Sequence, residues 1–341
     1  MQPAADSVRA AVAQAGGAIP FDRFMELALY GPGGFYTSGG HAGRRGDFIT
    51  SPEVGPLFGL VLSRAIDDVW RRCGSPDGFV IVDAGAGPGT LARSVLAAGP
   101  ECLRRGRYVA VEASAEQRAM HPDGVESTDV LPDGIAHGVI VANELLDNLP
   151  FELWVSDGEW KQAHVVVSGD AFQEVLVPGT PSFPLPERAP LGTRAPVQRA
   201  AAAWLRAALA SLRSGSVFVI DYCTPRTIQV AAMPWREWLR TYAGHERGTH
   251  YLRDAGAQDI TVQVLVDQLA AVREPDAVRT QSQFLELWGI GALVEEGRRV
   301  WRESAAAPTL EAVRMRSRIS EAEALLDPSG LGAFSVLEWR V

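Results

Sequence analysis

The sequence predicts an α/β fold with a doubly wound, Rossmann-like sheet of mostly parallel strands, and three observations support it. An uninterrupted apolar run over residues 79–82 leads through Asp83 into glycines at positions 85, 87 and 89. Such a run is typical of a parallel strand covered on both faces, and glycines allow a sharp turn close to a ligand. Apolar strands alternate with helical segments over residues 79–144. Polar residues also follow the strands, at the sheet edge where ligands bind.

Length and composition limit the class of protein. A chain of 341 residues, 47% hydrophobic and 21% charged, can bury a large core and predicts either a main domain with large insertions or two domains. The net charge of −9 argues against a nucleic-acid partner. The three cysteines lack metal-ligand spacing, so neither a disulfide framework nor a metal is predicted. Because we find no signal peptide and no apolar run of about 18 residues, we expect a cytoplasmic protein without a membrane span.

The glycine turn indicates the class of cofactor. The pattern Asp-x-Gly-x-Gly-x-Gly is typical of the first motif of S-adenosylmethionine (SAM) methyltransferases. A dinucleotide fingerprint instead needs a small residue at its sixth position, where this chain has Thr90. The predicted cofactor contacts here are Asp83, Gly85, Gly87, Gly89 and Thr90. A tight turn without a ligand is the alternative, and an NAD-dependent enzyme is the least favoured reading.

Residues at the ends of the next two predicted strands complete the cofactor site. Glu112 closes a strand over residues 107–112 and lies some 20 residues beyond the glycines, which suits hydrogen bonds from ribose hydroxyls. A solvated glutamate is the alternative. After a third short strand, Asp129 suits an adenine amino group and Val130 the face of the ring.

The fourth predicted strand, over residues 138–144, ends in an abrupt change from apolar to polar residues. Asn143, assigned to the cofactor, is followed by Glu144 and Asp147. Catalysis in this architecture sits at the carboxyl edge of the sheet, so both acids are candidate catalytic residues. A purely structural Glu144, which anchors the strand end, is the alternative.

A helix that precedes the first strand contributes a further acid. Ser51 is the predicted N-cap and Pro52 the first helical residue of a segment that continues as an amphipathic helix over residues 57–70. If this helix packs beside the first strand, its first turn faces the glycine turn. We therefore assign Thr50 and Pro52 to the cofactor site and Glu53 to the catalytic candidates. Glu53 acting only on the helix dipole is the alternative.

The rest of the chain predicts insertions and a return to the sheet. Residues 151–177 read as antiparallel strands with hairpin turns, and the prolines that follow favour an extended connection. The predicted segments are residues 1–47 (helical, glycine-rich), 48–150 (SAM-binding core), 151–196 (β-hairpin insertion and proline-rich connection), 197–265 (core continuation), 266–330 (helical cap) and 331–341 (final core strand).

Four blocks together resemble the MidA-like SAM-dependent methyltransferases: residues 30–36, 46–59, 85–91 and 143–150. Residues 221–222, 240–242 with His245, 259–261, 283–285 and 330–337 extend the resemblance to almost the whole chain. It implies a class I SAM-methyltransferase fold, SAM as cofactor and a protein acceptor. Mitochondrial relatives act in complex I assembly as protein arginine methyltransferases, so the implied acceptor is a respiratory complex I-type subunit. A homodimer is compatible with this reading.

The chain departs from the family pattern at three positions. Cys223 replaces a usual glycine, and Gln263 and Leu265 stand where histidine and aspartate are common. These changes concern the acceptor side, so a small-molecule O- or N-methyltransferase and a non-catalytic SAM-binding assembly factor stay open as alternatives.

An arginine acceptor, as the resemblance implies, needs carboxylates that grip its guanidinium group and leave one nitrogen lone pair free. Glu144 is the first candidate, with Asp147 and Glu53 behind it. Glu152 is read as a surface glutamate that opens the β insertion.

Overall fold

The structure is a computed structural model that describes residues 3–37, 50–243, 246–248, 250–304, 306–307 and 309–341. The first residues of the 46–59 block and His245 lie outside these described residues. The helices are α1 (Pro3–Gln14), α2 (Phe21–Tyr30), α3 (Ser51–Val54), α4 (Pro56–Arg72), α5 (Thr90–Ala98), α6 (Ala115–Arg118), α7 (Arg199–Ser211), α8 (Thr227–Ala231), α9 (Trp235–Trp238), α10 (Val266–Ala270), α11 (Gln281–Leu287), α12 (Ile290–Glu303) and α13 (Leu310–Leu326).

The strands of the described residues fall into four sheets. They are β1 (Ile19–Pro20), β2 (Val80–Ala84), β3 (Arg107–Val111), β4 (Val125–Thr128), β5 (Gly138–Asn143), β6 (Glu152–Ser156), β7 (Trp160–Ser168), β8 (Ala171–Pro178), β9 (Arg194–Val197), β10 (Gly215–Asp221), β11 (Cys223–Thr224), β12 (Leu239–Ala243), β13 (Glu246–Arg247), β14 (Asp259–Val262), β15 (Val264–Leu265), β16 (Ala277–Thr280) and β17 (Ser335–Arg340).

The chain divides into two compact units with separate cores. The antiparallel unit comprises Met1–Phe48, Leu145–Ala207 and Tyr222–Glu274, and the sheet unit comprises Ile49–Glu144, Ala208–Asp221 and Pro275–Val341. This division differs from the six predicted segments. The N-terminal segment and the β insertion share one unit, and the predicted core continuation over residues 197–265 is split. The reason is packing: one apolar cluster joins side chains from α2, β6, β7, β12 and β14, a grouping that local sequence patterns do not reveal.

The sheet unit is the predicted doubly wound sheet. Its seven strands run in the order β16-β17-β10-β5-β2-β3-β4. Strands β10, β5, β2, β3 and β4 pair in parallel, whereas β17 is antiparallel to both β10 and β16. All five residues of β2 are buried, as its apolar run predicts for a strand covered on both faces.

The antiparallel unit contains the predicted β insertion. Strands β6, β7 and β8 form consecutive antiparallel pairs, β9 pairs with β6, and β1 pairs with β7. A second sheet has the order β13-β12-β14, and β11 pairs with β15. The strands that were not predicted from the sequence are β1, β9, β11, β12, β13 and β16.

The helix predicted to begin at Ser51 differs in detail. Thr50 is the N-cap residue of α3 and Ser51 is the first helical residue, because the Ser51 hydroxyl donates instead to Gln281 Oε1 at 2.8 Å. The segment also splits into α3 and α4 at Gly55, whose backbone is extended. Proline disfavours helical geometry in the residue that precedes it, and Pro56 directly follows Gly55.

Packing between α4 and α5 leaves no room for a side chain at Gly59. A Cβ atom there would lie 2.1 Å from Ser94 Oγ and 2.6 Å from Ser94 Cβ. Ser94 Cβ is fixed to the backbone of α5, so relief requires movement of that helix. We expect Gly59→Ala to lower the free energy of unfolding by about 1–3 kcal/mol, measured by urea denaturation. In α12, a Cβ at Gly291 meets nothing within 4 Å, so Gly291→Ala should be neutral or slightly stabilising. Equal behaviour of the two variants would contradict this account.

Cys73, Cys102 and Cys223 form no disulfide with one another. Among the described residues, no helix is long and apolar enough to cross a membrane.

Candidate cofactor site

The strand order of the sheet unit determines where a ligand binds. After β2, the chain adds β3 and β4 on one side and then β5 on the other. The gap between β2 and β5 is therefore a topological switch point, and ligands of open α/β sheets bind outside the carboxyl ends of the strands there. The glycine turn follows β2 at this edge, and Asn143 and Glu144 mark the end of β5.

The turn after β2 needs its glycines because three of them have left-handed backbones. The φ angles are 74° at Gly85, 53° at Gly87 and 82° at Gly89, a region that disfavours other residues. The N–H groups of Gly85 and Ala86 donate to Val111 O at 2.9 and 3.0 Å, which ties the turn to the end of β3. Helix α5 then begins at Thr90, as predicted.

Glu112 holds this turn from the neighbouring strand. Its Oε2 accepts from Gly87 N at 2.9 Å, and its Oε1 accepts from Ser114 N at 2.8 Å. An ionised carboxylate has about four acceptor positions, so lone pairs stay available for ligand hydroxyls. The sequence indicated Glu112 for the ribose but not its second task, the support of the glycine turn.

The first turn of α3 reaches the same edge. Glu53 Oε1 accepts from the Thr90 hydroxyl at 2.8 Å, so the structure brings together two of the predicted residues. Thr50, Ser51 and Pro52 are buried at the start of this helix. The cofactor roles of Thr50 and Pro52 and the catalytic role of Glu53 stay predictions.

The end of β5 places two polar side chains beside α3. Glu144 Oε1 accepts from Ser51 N at 3.2 Å and from Asn143 Nδ2 at 3.1 Å. Glu144 also has a left-handed backbone, with φ at 52°. For a residue other than glycine this costs about 1–2 kcal/mol, and such strain concentrates at functional sites.

Asp83 is buried below the turn rather than exposed to a ligand. It is 2% exposed, and Tyr108 donates a hydrogen bond to its Oδ2 at 3.0 Å. Burial raises the pKa of Asp83 to about 7, and the charge of Glu112 adds to this rise, whereas the Tyr108 bond opposes it. Tyr108 was not identified from the sequence because its partner lies 25 residues away.

Asp129 and Val130 follow β4 at the same sheet edge, as predicted. Both are exposed, so the surface assigned to adenine is open to solvent. His121 also contacts the turn: its Nε2 lies 2.8 Å from Gly87 O, and its Nδ1 lies 2.9 Å from Ser127 Oγ. A lone histidine gives no sequence signal for this role.

Two acids considered as acceptor-binding residues, Asp147 and Glu152, lie in the antiparallel unit. Asp147 is 5% exposed, and its Oδ2 accepts from the Thr261 hydroxyl at 2.7 Å. Glu152 is not the expected surface residue. It is 6% exposed because it accepts from Arg199 at 2.9 Å and from the Trp154 indole at 3.1 Å.

Together, the strand order and the glycine turn define a class I SAM-dependent methyltransferase fold. Comparison with known proteins agrees: the model of an S-adenosyl-L-methionine-dependent methyltransferase family matches residues 61–282. The chain belongs to this MidA-like family of SAM-dependent methyltransferases.

Solved structures and curated relatives support the same assignment. A Burkholderia thailandensis protein bound to S-adenosyl-homocysteine (SAH) is 28% identical, with a TM-score of 0.81 over 99% of this chain and 92% of that one. The Drosophila melanogaster protein arginine methyltransferase NDUFAF7 homolog is 30% identical over 193 residues, which are 46% of this chain and 44% of that protein. Human NDUFAF7 is 36% identical over 81 residues, or 24% and 18% of the two chains. The chain thus spans less than half the length of these curated relatives.

One buried atom tests whether the residues present fit SAM. Asn143 Oδ1 is buried and has no hydrogen-bond partner in the part of the chain that the structure describes. An unsatisfied buried acceptor costs about 1–3 kcal/mol, and the ammonium group of SAM is a donor that would satisfy it. Asn143 therefore fits the cofactor that the family uses.

Proposed function

We propose that this protein transfers the methyl group of SAM to an arginine side chain of a protein acceptor. The names of the NDUFAF7 relatives support an arginine acceptor. The observation that carries the proposal is Glu144, an acid held with a left-handed backbone at the switch point of the sheet. It lies beside Asn143, whose buried Oδ1 has no partner among the described residues.

The bound cofactor supplies a methyl group on a sulfonium, and the protein supplies orientation. Glu112 fixes the glycine turn and offers lone pairs to the ribose. Ser51 N and the Asn143 amide donate to Glu144 and so keep its carboxylate in place. A fixed carboxylate can hold a guanidinium group with one nitrogen aimed at the methyl group, since orientation supplies much of the rate enhancement in such transfers.

Radiolabelled SAM provides the test. We expect purified protein to transfer label to a protein in extracts of the source cell, and to methylarginine after acid hydrolysis of that protein. Label found only in small molecules would support the alternative of a small-molecule O- or N-methyltransferase. Tight SAH binding without any transfer would support the alternative of a non-catalytic assembly factor.

The proposal extends to the setting of the reaction. We propose a respiratory complex I-type subunit as the acceptor, a cytoplasmic location and a homodimer. Identification of the labelled protein by mass spectrometry, cell fractionation and the mass in solution test these three points separately.

A further inference from the structure

The antiparallel unit contains a cavity that the cofactor site does not use. Its volume is about 110 Å³, room for several water-sized groups, since about 10–15 Å³ holds one water. The walls combine two acids, three aromatic rings and one arginine. These lining residues are Asp147, Asp259, Tyr222, Trp238, Tyr242 and Arg240.

Strand register brings four of the lining side chains, including that of Thr261, to one face. In the antiparallel pair β12–β14, Tyr242 lies opposite Asp259 and Arg240 lies opposite Thr261. Directly opposed residues share a face, and so do residues two apart along a strand. All four side chains therefore point to the same side of the β12–β14 pair, where Asp147 accepts its hydrogen bond from Thr261.

Asp259 has one satisfied oxygen and one unsatisfied oxygen. Oδ1 accepts from Tyr36 OH at 3.1 Å and from Asn148 Nδ2 at 3.0 Å. Oδ2 has no partner among the described residues, although the side chain is only 1% exposed. Trp238 Nε1 is likewise buried without a partner in that part of the chain. Unsatisfied buried polar atoms are costly, so their presence around one cavity indicates a ligand.

Charge indicates the kind of ligand. With both carboxylates ionised, the lining residues that the structure describes carry two negative charges and the positive charge of Arg240, a net charge of −1. Arg240 Nε donates to Glu237 O, and Arg240 forms no ion pair with a described residue. The cavity therefore accepts one cation. Aromatic walls and separated carboxylate oxygens suit the flat guanidinium group, which stacks on rings and donates in several directions.

We propose that the Asp147–Asp259 cavity binds the guanidinium group of an arginine in the acceptor protein. This inference rests on the proposed function for the identity of the ligand, but its test needs neither SAM nor turnover. It adds Asp259 and the aromatic walls to the residues that recognise the acceptor. Gln263, one of the departures from the family pattern, also lines this cavity.

Ionisation of the acids gives the binding a pH dependence. Burial raises the pKa of Asp147 to about 6, and burial together with the Asp147 charge raises the pKa of Asp259 to about 7. The other ionisable groups described around Asp259 are Tyr36, which donates a hydrogen bond to it, and the lining residues Tyr222, Tyr242 and Arg240. Cation binding favours the ionised acids, so affinity should rise as pH rises from 5.5 to 8.

The experiment is a calorimetric titration with N-acetyl-arginine methylamide, with the neutral citrulline analogue as matched ligand. At pH 8 we expect the arginine probe to bind at least tenfold more tightly than the citrulline probe. We also expect the arginine probe to bind at least tenfold more weakly at pH 5.5 than at pH 8. Asp259→Asn should lose at least tenfold in affinity, whereas Asp157→Asn, a change at an exposed acid paired with Lys161, should lose none. Equal binding of the two probes, or unchanged binding by Asp259→Asn, overturns the proposal whether or not the protein methylates arginine.

Stability shows that Asp259→Asn is folded and tests the same site. An asparagine oxygen can still accept from Tyr36 and Asn148. The folded-state pKa of Asp259 lies above the ordinary value of 3.8, so the folded state binds more protons and the wild type loses stability as pH rises from about 4 to about 7. Asparagine does not ionise, so the variant does not lose this stability as pH rises. Asp259→Asn should therefore unfold at a higher temperature than the wild type at pH 8, but not at pH 4.5.

Discussion

Replacement of Glu112 by alanine is expected to weaken SAH binding by roughly 10²–10⁴-fold. The carboxylate accepts from Gly87 N and Ser114 N, so its loss frees the glycine turn as well as removing the acceptors proposed for the ribose. Hydrogen bonds to a charged group contribute about 1.5–3 kcal/mol each, and two of them account for this range at about 1.4 kcal/mol per factor of ten. Isothermal titration with SAH measures the change.

A matched control separates this effect from general damage. Glu116 lies on α6 four residues further along the chain and is exposed. Glu116→Ala should bind SAH with an affinity within about twofold of the wild type. If Glu112→Ala binds SAH as tightly as Glu116→Ala does, Glu112 is not part of the cofactor site.

Local patterns in the sequence were sufficient to predict the turn that defines the fold. The buried strand β2, the left-handed glycines and the start of α5 at Thr90 occupy consecutive positions, so their physics depends little on the rest of the chain. The split between α3 and α4 has an equally local cause, since Gly55 precedes Pro56.

Contacts between distant residues could not be predicted in this way. Glu152 is buried because Arg199, 47 residues later, pairs with it. Asp147 and Asp259 line one cavity although 112 positions separate them. No periodicity links such positions, and the family resemblance at residues 259–261 was the one hint. Strand β12 was missed because polar residues interrupt it, and its pairing with β14 reveals the shared face only in the structure.

Replacement of Glu144 by glutamine is expected to slow methyl transfer by about 10²–10³-fold while cofactor binding is kept. Glutamine retains an oxygen that can accept from Ser51 N and the Asn143 amide, so the fold and the SAH affinity should change little. It lacks the negative charge that holds a guanidinium cation. Loss of one oriented electrostatic contact commonly costs about 10²–10³-fold in rate, and we expect a decrease of that size. Transfer of labelled methyl groups to the acceptor fraction measures it.

Backbone strain alone does not make Glu144 functional, which is why this prediction needs its control. Ser75 and Asp254 also have left-handed φ angles of 54° and 46°, yet neither follows a strand of the seven-stranded sheet. Glu144 differs because it combines strain with a position at the switch point and a side chain held by Ser51 N. Glu126→Gln, at an exposed acid of β4 paired with Arg107, should transfer methyl groups at the wild-type rate. If Glu144→Gln does so as well, Glu144 only anchors the end of β5, and the candidate acceptor-binding acids are Glu53 and the pair Asp147 and Asp259 in the cavity of the antiparallel unit.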